Sequence, residues 1–318
     1  MRIGIDIGGT TIKGGLLDAK NNIIERVVRK TPAGDVSNSI CDLLAGIIDE
    51  LLVKSGFTTN QIEFCGIGSP GAIDPKSGII KYSNNIVMHN VPVVSTLSKE
   101  YPFPFAVDND ANCAALGEAM FGGGKGEEDV IMVTLGTGVG SGIIIGKKLF
   151  TGGGGAGGEA GHMVIQADGL PCNCGLAGCW EKYASATALI SQTKEAMYFH
   201  SDSLMHKIAN TDCKISGETP FLAAEKGDEA GKAVIDKYLG YIATGIINLA
   251  NLFRPQVVVL GGGVSNAGEK ILAPIQAKVD AGIYGGKINP PVKITLATLG
   301  NDAGILGAAY LRSASDQT

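Results

Sequence analysis

The chain has 318 residues, of which 45% are hydrophobic and 18% are charged, and its formal net charge is −5 at neutral pH. This length allows two domains and a sizeable core. The acidic balance, without a basic block, argues against nucleic-acid binding through phosphate neutralisation, and no apolar run reaches the roughly 18 residues that a membrane helix requires.

Glycine and cysteine usage narrows the class further. Glycine accounts for 47 of the 318 residues, which predicts many turns and close backbone approaches to a ligand. The cysteine count of 7 is odd, and those outside one cluster are scattered, as expected in a reducing cytoplasm rather than in a disulfide framework. Residues 1–10 read as a strand and a turn instead of a signal peptide, so we expect a cytoplasmic protein.

A glycine-rich turn between two strands opens the chain. Ile3 to Ile7 forms a short apolar strand, Gly8-Gly9-Thr10-Thr11 forms the turn, and Ile12 to Leu17 returns as a second strand. Backbone N–H groups at such a tip can hold phosphate oxygens, since no Cβ blocks the approach. The turn matches neither a Walker A loop nor a Rossmann fingerprint, and a simple hairpin turn is the alternative.

The next elements are a helix and a strand that leads to polar residues. Residues 38–54 predict an amphipathic helix with one buried face. Phe64 to Gly68 predicts a strand that enters a turn at Gly71, where the chain comes close to a cleft. Asn84 and Asn85 follow, and an Asx turn is the alternative to a binding role for this pair.

A cluster of polar residues follows the strand predicted at 105–107. Asp108, Asn109 and Asp110 come directly after this strand, and a helix begins behind them. Polar residues at the carboxyl end of a strand lie where α/β sheets bind ligands, although Asp110 could instead cap the helix. Residues 122–126, almost all glycine, predict a hinge.

The strand–glycine–strand pattern then recurs at residues 130–145. Two strands flank Gly136-Thr137-Gly138-Val139-Gly140. This recurrence suggests an internal duplication with one glycine loop in each half. Two facing loops could hold a polyphosphate between two lobes.

A metal-binding pattern lies between Gly155 and Tyr183. Cys172, Cys174 and Cys179 have C-x-C-x4-C spacing, and His162 lies upstream. Three thiols and one imidazole form the ligand set of a closed tetrahedral zinc site, and soft sulfur ligands favour zinc over magnesium or calcium. Free cysteines that pack as small hydrophobic side chains are the alternative.

Two glutamates flank this metal pattern and complete a resemblance. Glu159 precedes His162, and Glu181 follows Cys179. G-E-A-G-H at 158–162 and C-N-C-G-L-A-G-C-W-E at 172–181 resemble the signature of the ROK family of sugar kinases and related repressors, and V-D-N-D-A-N at 107–112 resembles its catalytic segment. Asn173 stands where many relatives have glycine, a departure that spares every ligand.

The resemblance covers nearly the whole chain and implies an α/β fold of the actin-like ATPase (ribonuclease H-like) class, with two lobes around a central cleft. It implies a small lobe of residues 1–117 plus 301–318 and a large lobe of residues 118–300 with the zinc loop. Helices are predicted over 186–198, 204–209 and 220–252, a strand over 257–260, a last strand over 292–297 and a closing helix over 301–312.

The resemblance also assigns roles to residues of the cleft. Asp110 is the general base, and Asp6 is placed to orient Mg²⁺ through water. Residues that would bind the sugar are Gly71, Asn85, Asn109, Asp110, Glu159, His162 and Glu181, with Asn84 as an alternative to Asn85. Residues that would bind the nucleotide are Asp6, Gly8, Gly9, Thr10, Thr11, Lys13, Gly136, Thr137, Gly138, Gly261, Gly262 and Gly263. For Gly261 to Gly263, which resemble the family's adenosine loop, an ordinary turn is the alternative.

The implied reaction is transfer of the γ-phosphoryl group of ATP to the 6-hydroxyl of an aldohexose, most simply glucose. A kinase of N-acetylmannosamine or N-acetylglucosamine is the main alternative, decided by the pocket around the sugar 2-position. Fructokinases usually replace one metal-loop cysteine by histidine, and the related repressors carry a helix-turn-helix domain before the kinase-like part. The implied cofactors are structural Zn²⁺ and Mg²⁺ with ATP, the donor could also be polyphosphate, and a homo-oligomer is expected.

Overall fold

The computed structural model of the protein describes residues 1–84, 86–211 and 214–311. The chain forms two compact units. Unit 1 contains Met1–Met132, Gly142–Gly158 and the described part of Thr298–Thr318, and unit 2 contains Val133–Ser141 and Glu159–Ala297. No helix within the described ranges combines the length and apolar character needed to cross a bilayer.

The first sheet has five strands in the order β3-β2-β1-β4-β8. Its first three strands are antiparallel, whereas β1, β4 and β8 run parallel. Every residue of β4 is buried, as expected for a central parallel strand. The strands are β1 Arg2–Ile7, β2 Thr11–Leu17, β3 Ile23–Lys30, β4 Phe64–Ser69 and β8 Phe105–Asn109.

The second sheet also has five strands, and a third, smaller sheet lies between β4 and β8 in the sequence. The second sheet has the order β11-β10-β9-β12-β13, and the third has the order β5-β6-β7. The third sheet was not predicted, because its strands are short and only partly buried. These strands are β5 Ala72–Asp74, β6 Ile79–Ser83, β7 Met88–Val91, β9 Val130–Leu135, β10 Val139–Ile145, β11 Lys148–Phe150, β12 Val257–Gly261 and β13 Lys293–Leu296.

The helices follow the predicted apolar periodicity in most places. The helix predicted at 38–54 is confirmed, and its buried residues lie on one face. The continuous helix predicted over 220–252 is wrong, because Gly227 adopts φ 89° and Asp228 then caps a new helix. The helices are α1 Ile40–Ser55, α2 Val93–Leu97, α3 Asp110–Phe121, α4 Glu181–Ala184, α5 Ala186–Phe199, α6 Leu204–Thr211, α7 Thr219–Glu225, α8 Glu229–Phe253, α9 Glu269–Gly282 and α10 Ala303–Ala308.

The closing helix, predicted over 301–312, is shorter than predicted among the described residues, which end at 311, and it packs closely on α3. A 3₁₀ turn at Gly300–Asp302 precedes α10. A Cβ on Gly117 of α3 would lie 2.3 Å from the carbonyl oxygen of Ala303, and one on Gly307 would lie 1.7 Å from that of Cys113. Glycine at both positions therefore permits a helix contact at backbone distance. This contact fixes α10 beside the helix that begins at Asp110.

Candidate functional site

Two carboxylates predicted to act in catalysis influence each other in unit 1. Asp6, near the end of β1, pairs in register with Lys13 on β2. Burial and the charge of Asp110 raise the pKa of Asp6 to about 6, whereas Lys13 acts in the opposite direction. The Asp6 carboxylate also lies against α10, where a Cβ on Gly304 would be 2.9 Å from its Cγ.

Asp110 is the first residue of α3, and its neighbour Asn109 serves as the N-cap. The Asn109 side chain accepts a hydrogen bond from the Ala111 N–H at 2.9 Å and donates one to the Gly71 carbonyl at 3.3 Å. Asp110 Oδ1 also accepts from the Ala111 N–H, at 2.9 Å. Because Asn109 fills the cap position, the helix start does not depend on Asp110 alone.

Asp108, to which the sequence pattern assigned no role, holds this segment through hydrogen bonds to Asn109 and Asn112. Asp108 is buried, and it accepts hydrogen bonds from the Asn109 N–H at 2.7 Å and from Asn112 Nδ2 at 2.8 Å. Burial raises the pKa of Asp108, while these two hydrogen bonds oppose the rise. The available signal was an ionisable residue at the end of an otherwise apolar strand.

Gly71, another predicted sugar-binding residue of unit 1, contacts Asn109 through its carbonyl group. Gly71 adopts φ 99°, and a Cβ there would lie 2.1 Å from the carbonyl oxygen of Tyr82. Only glycine therefore fits this turn. Asn85 lies outside the described residues, and the side-chain oxygen of Asn84 accepts a hydrogen bond from the Tyr82 hydroxyl. The choice between Asn84 and Asn85 stays open.

The first glycine turn is tight, and Thr31 of the neighbouring strand end is hydrogen-bonded to it. The Gly8 N–H donates to the Thr11 carbonyl at 3.0 Å, and Thr31 Oγ1 donates to the Gly8 carbonyl at 2.6 Å. Gly9 and Thr10 are exposed, and a Cβ on Gly9 would meet nothing within 4 Å. The tip thus presents open backbone at its outer end.

The second glycine loop is attached to the start of α5 in unit 2. The Ala186 N–H donates to the Gly136 carbonyl at 2.8 Å, and Thr187 Oγ1 donates to the Thr137 carbonyl at 2.8 Å. Within the loop, the Gly136 N–H donates to the Gly138 carbonyl at 3.0 Å. These bonds fix the shape of the loop and tie it to the start of α5.

The third glycine loop lies directly against the second. Gly262 adopts φ 84°, and a Cβ there would lie 2.5 Å from the carbonyl oxygen of Leu135, the last residue of β9. β9 and β12 are neighbouring strands, and this contact joins the residue that follows β12 to the last residue of β9. The structure therefore brings Gly136 to Gly138 close to Gly261 to Gly263.

The four predicted metal ligands converge on one point. The ligand atoms of His162, Cys172, Cys174 and Cys179 all lie within 4.8 Å of one another. Cys174 Sγ is 3.5 Å from Cys179 Sγ, and Cys172 Sγ is 3.8 Å from His162 Nδ1. Zinc–sulfur bonds of about 2.3 Å in tetrahedral geometry imply sulfur–sulfur separations of roughly 3.8 Å. The donor set and its spacing therefore fit a zinc ion.

Backbone pairing holds the metal loop in shape around these ligands. Isolated antiparallel bridges join Val164 to Cys179 and Pro171 to Ala177. Gly178 adopts φ 83°, and a Cβ there would lie 1.8 Å from the Gln166 carbonyl oxygen. The tight turns that aim the sulfur atoms at one point therefore depend on glycine.

The two glutamates of the predicted sugar site both adjoin the metal ligands. Cys172 Sγ donates to Glu181 Oε1 at 3.2 Å. Glu159 is exposed and precedes the 3₁₀ turn Ala160–His162, which Ser141 Oγ holds by accepting from the Ala160 N–H at 3.1 Å. Ser141 was not predicted, since nothing in its local sequence distinguishes it from other residues of β10.

Comparison with known proteins agrees with these features. The ROK family model matches residues 2–315. The glucokinase of Thermotoga maritima is 37% identical over 311 residues, which cover 97% of this chain and 96% of that protein. A xylose repressor of Caldicellulosiruptor bescii is 31% identical over 305 residues, covering 96% of this chain and 76% of the repressor.

A solved structure extends the similarity to the fold. A ROK family glucokinase from Streptomyces griseus, in complex with glucose and AMPPNP, matches with a TM-score of 0.76 and 35% identity over 97% of each chain. The predicted actin-like α/β fold is thereby confirmed.

Proposed function

Because this chain belongs to the ROK family, we propose that it is a glucokinase, which transfers the γ-phosphoryl group of ATP to the 6-hydroxyl of glucose. The observation that carries the kinase assignment is the Asp110–Asp6 pair, with Asp110 at the start of α3 and Asp6 beside the first glycine turn. Glucose is favoured because the glucokinases of Thermotoga maritima and Streptomyces griseus match this chain over nearly its full length.

Asp110 is the proposed general base. It accepts the proton of the sugar 6-hydroxyl as that oxygen attacks the γ-phosphorus, and ADP leaves. A strong base is unnecessary, because the transition state of phosphoryl transfer is loose and catalysis is mainly positioning and charge stabilisation. Burial, and after it the charge of Asp110, raise the pKa of Asp6, so the two carboxylates are close enough to interact.

The glycine loops are the proposed phosphate contacts. In unit 1 these lie in the turn from Gly8 to Thr11, where exposed Gly9 and Thr10 would present backbone N–H groups, with Lys13 supplying positive charge. In unit 2, Gly136 to Gly138 and Gly261 to Gly263 form the proposed nucleotide contacts. Asp6 would hold Mg²⁺ through water, and this ion would neutralise charge on the β and γ phosphates.

The proposed sugar contacts are Gly71, Asn85, Asn109, Glu159, His162 and Glu181. A site built to pair sugar hydroxyls discriminates against analogues that lack them, because its own polar groups would be left unpaired. His162 Nδ1 lies 3.8 Å from Cys172 Sγ, which makes Nδ1 the proposed metal ligand and Nε2 the proposed sugar contact. With zinc bound, the tautomer and the ring angle of His162 would be fixed for a sugar hydroxyl.

Several broader features belong to the same proposal. Zinc is structural, and it orders the segment from His162 to Cys179. The functional lobes are residues 1–117 plus 301–318 and residues 118–300. The protein acts in the cytoplasm as a homo-oligomer.

A sugar panel with coupled detection of ADP tests the proposal. Glucose, N-acetylmannosamine, N-acetylglucosamine and fructose are compared as substrates, with ATP as donor and with polyphosphate in a parallel series. We expect kcat/KM for glucose to exceed that for each N-acetyl sugar by at least about tenfold. A higher kcat/KM for an N-acetyl sugar would contradict glucose as the substrate. Absence of ADP formation with every sugar would overturn the kinase assignment.

A further inference from the structure

A buried carboxylate that the proposed reaction does not use lies near the end of α3. Glu118 is 0% exposed. Its Oε1 accepts hydrogen bonds from the N–H groups of Thr298 at 3.0 Å and Leu299 at 2.8 Å. Its Oε2 accepts from the Gly123 N–H at 2.8 Å and from the Thr298 N–H at 3.1 Å. Three backbone N–H groups thus pair with both oxygens of this buried carboxylate.

The space around this carboxylate is restricted. A Cβ on Gly122 would lie 1.9 Å from Glu118 Oε2 and 3.0 Å from Leu299 Cγ. Gly122 is the C-cap of α3, so the chain turns closely around the carboxylate as it leaves the helix. Glu118 therefore joins the end of α3 to a segment that is distant in sequence.

That segment leads directly into α10 and to groups around Asp6. After Leu299 the chain passes through Asn301, whose side-chain oxygen accepts a hydrogen bond from Lys13 Nζ at 3.3 Å. In α10, Gly304 lies against the Asp6 carboxylate. Asn301 and Gly304, which contact Lys13 and Asp6, thus belong to a segment whose first residues are hydrogen-bonded to Glu118.

We propose that Glu118 is a positioning residue for phosphoryl transfer. By holding Thr298 and Leu299 at the end of α3, it fixes the approach of α10 to Asp6 and Lys13, while Asp110 stands at the start of the same α3. Glu118 touches neither substrate, and it acts through the placement of these groups. The inference rests on the proposed kinase function.

Glu118→Gln is the principal test. Glutamine keeps the shape but offers one acceptor oxygen, and its amide group would face backbone N–H donors. Since small displacements of catalytic groups have large effects on rate, kcat should fall about tenfold or more, with the Kd of glucose and of ATP nearly unchanged. Amide hydrogen exchange at Thr298 and Leu299 should accelerate. Glu118→Asp keeps the charge but shortens the reach, so it should change both quantities in the same direction by smaller factors.

Asp228→Asn is a matched control from unit 2. Asp228 is also buried and also accepts from backbone N–H groups, those of Leu204 at 2.6 Å and Gly231 at 2.7 Å. Loss of this carboxylate should lower the midpoint temperature of unfolding but leave kcat within about twofold of wild type. Its hydrogen-bond partners, Leu204 and Gly231, belong to neither the α3 nor the α10 segment around Asp6 and Asp110.

The outcomes separate the two proposals. A wild-type protein that phosphorylates no sugar overturns the proposed function. Phosphorylation by the wild type with an unchanged kcat in Glu118→Gln overturns the positioning role, as does an equal fall of kcat in Asp228→Asn. Should Glu118→Gln not fold, Glu118→Asp is compared with the control by the same criteria.

Discussion

The carboxylate of Glu181 occupies the space that a side chain at position 138 would require. A Cβ on Gly138 would lie 2.7 Å from Glu181 Oε2. The other oxygen of the same carboxylate, Oε1, accepts from Cys172 Sγ at 3.2 Å. One side chain therefore contacts a predicted metal ligand and limits the size of a residue in a predicted nucleotide loop.

A comparison of Gly138→Ala with Gly136→Ala follows from this contact. The methyl group at position 138 should displace Glu181 and weaken glucose binding about tenfold, as expected for loss of one hydrogen bond to a carboxylate. Gly136→Ala should leave glucose binding unchanged, because a Cβ there would meet nothing within 4 Å. Calorimetric titration of glucose without nucleotide measures both. Wild-type glucose affinity in Gly138→Ala would show that Glu181 either does not bind the sugar or moves without cost.

Glu181 and Gly138 also illustrate what sequence could and could not predict. The spacing from Cys179 was enough to predict that Glu181 adjoins the metal site. Its contact with Gly138 could not be predicted, because the two positions are far apart in the chain and meet only through packing of α4 against the loop. Gly138 was consequently assigned to nucleotide binding alone.

The same distinction holds for the acids of unit 1. The strand, the glycine turn and the D-N-D-A-N segment are local patterns, and Asp6 lies near the end of the first strand as predicted. The strand predicted at 105–107 extends to Asn109, and the helix begins earlier than predicted, at Asp110. The partners of Glu118 and the contact of Gly304 with Asp6 depend on how α10 returns to α3. Such long-range contacts leave no periodic signal in the sequence.

Removal of one metal ligand should separate sugar binding from nucleotide binding. Cys174→Ala should lose zinc and most glucose affinity, because Glu159, His162 and Glu181 adjoin the metal ligands. ATP affinity should stay within about threefold of wild type, since α5 retains its own Ser185 cap and its bonds to the second glycine loop. Metal analysis and separate calorimetric titrations of glucose and ATP measure these effects.

Cys41→Ala is the control for this experiment. Cys41 is partly buried in α1 and lies outside the metal cluster, so its loss should change neither zinc content nor ligand affinity. Full glucose affinity in a zinc-free Cys174→Ala protein would contradict the proposed role of the metal. Equal losses of glucose and ATP affinity would indicate a general effect on stability instead.

The raised pKa of Asp6 predicts a pH-dependent gain of stability in Asp6→Asn. The folded protein holds this proton up to about pH 6, whereas the unfolded chain releases it near the ordinary value of 3.8. The stabilising effect of the proton is therefore complete below pH 3.8 and is lost as pH rises through 6. Without added magnesium, the free energy of unfolding of Asp6→Asn at pH 8 should exceed that of wild type by on the order of 1–3 kcal/mol. Its unfolding temperature should be correspondingly higher, and the difference should vanish near pH 4.

Asp302→Asn should show the opposite sign. The hydrogen bond and charge of Arg26 lower the pKa of Asp302, so its contribution is present above the unfolded pKa and is lost as pH falls. Thermal unfolding of wild type and both variants between pH 4 and pH 8 gives the comparison. Equal stability of wild type and Asp6→Asn at pH 8 would contradict the raised pKa of Asp6.

The most direct test of the proposed reaction asks whether Asp110 accepts the proton of the sugar hydroxyl. Initial rates of ADP release with glucose are measured for the wild type and for Asp110→Asn. Asparagine keeps the size and most hydrogen bonding but cannot accept the proton. Glucose binding, measured by calorimetry, should be largely kept, because Asn109 still caps α3. We predict that kcat falls by at least about 10²-fold. Turnover of glucose by Asp110→Asn near the wild-type rate would contradict the assignment of Asp110 as the base.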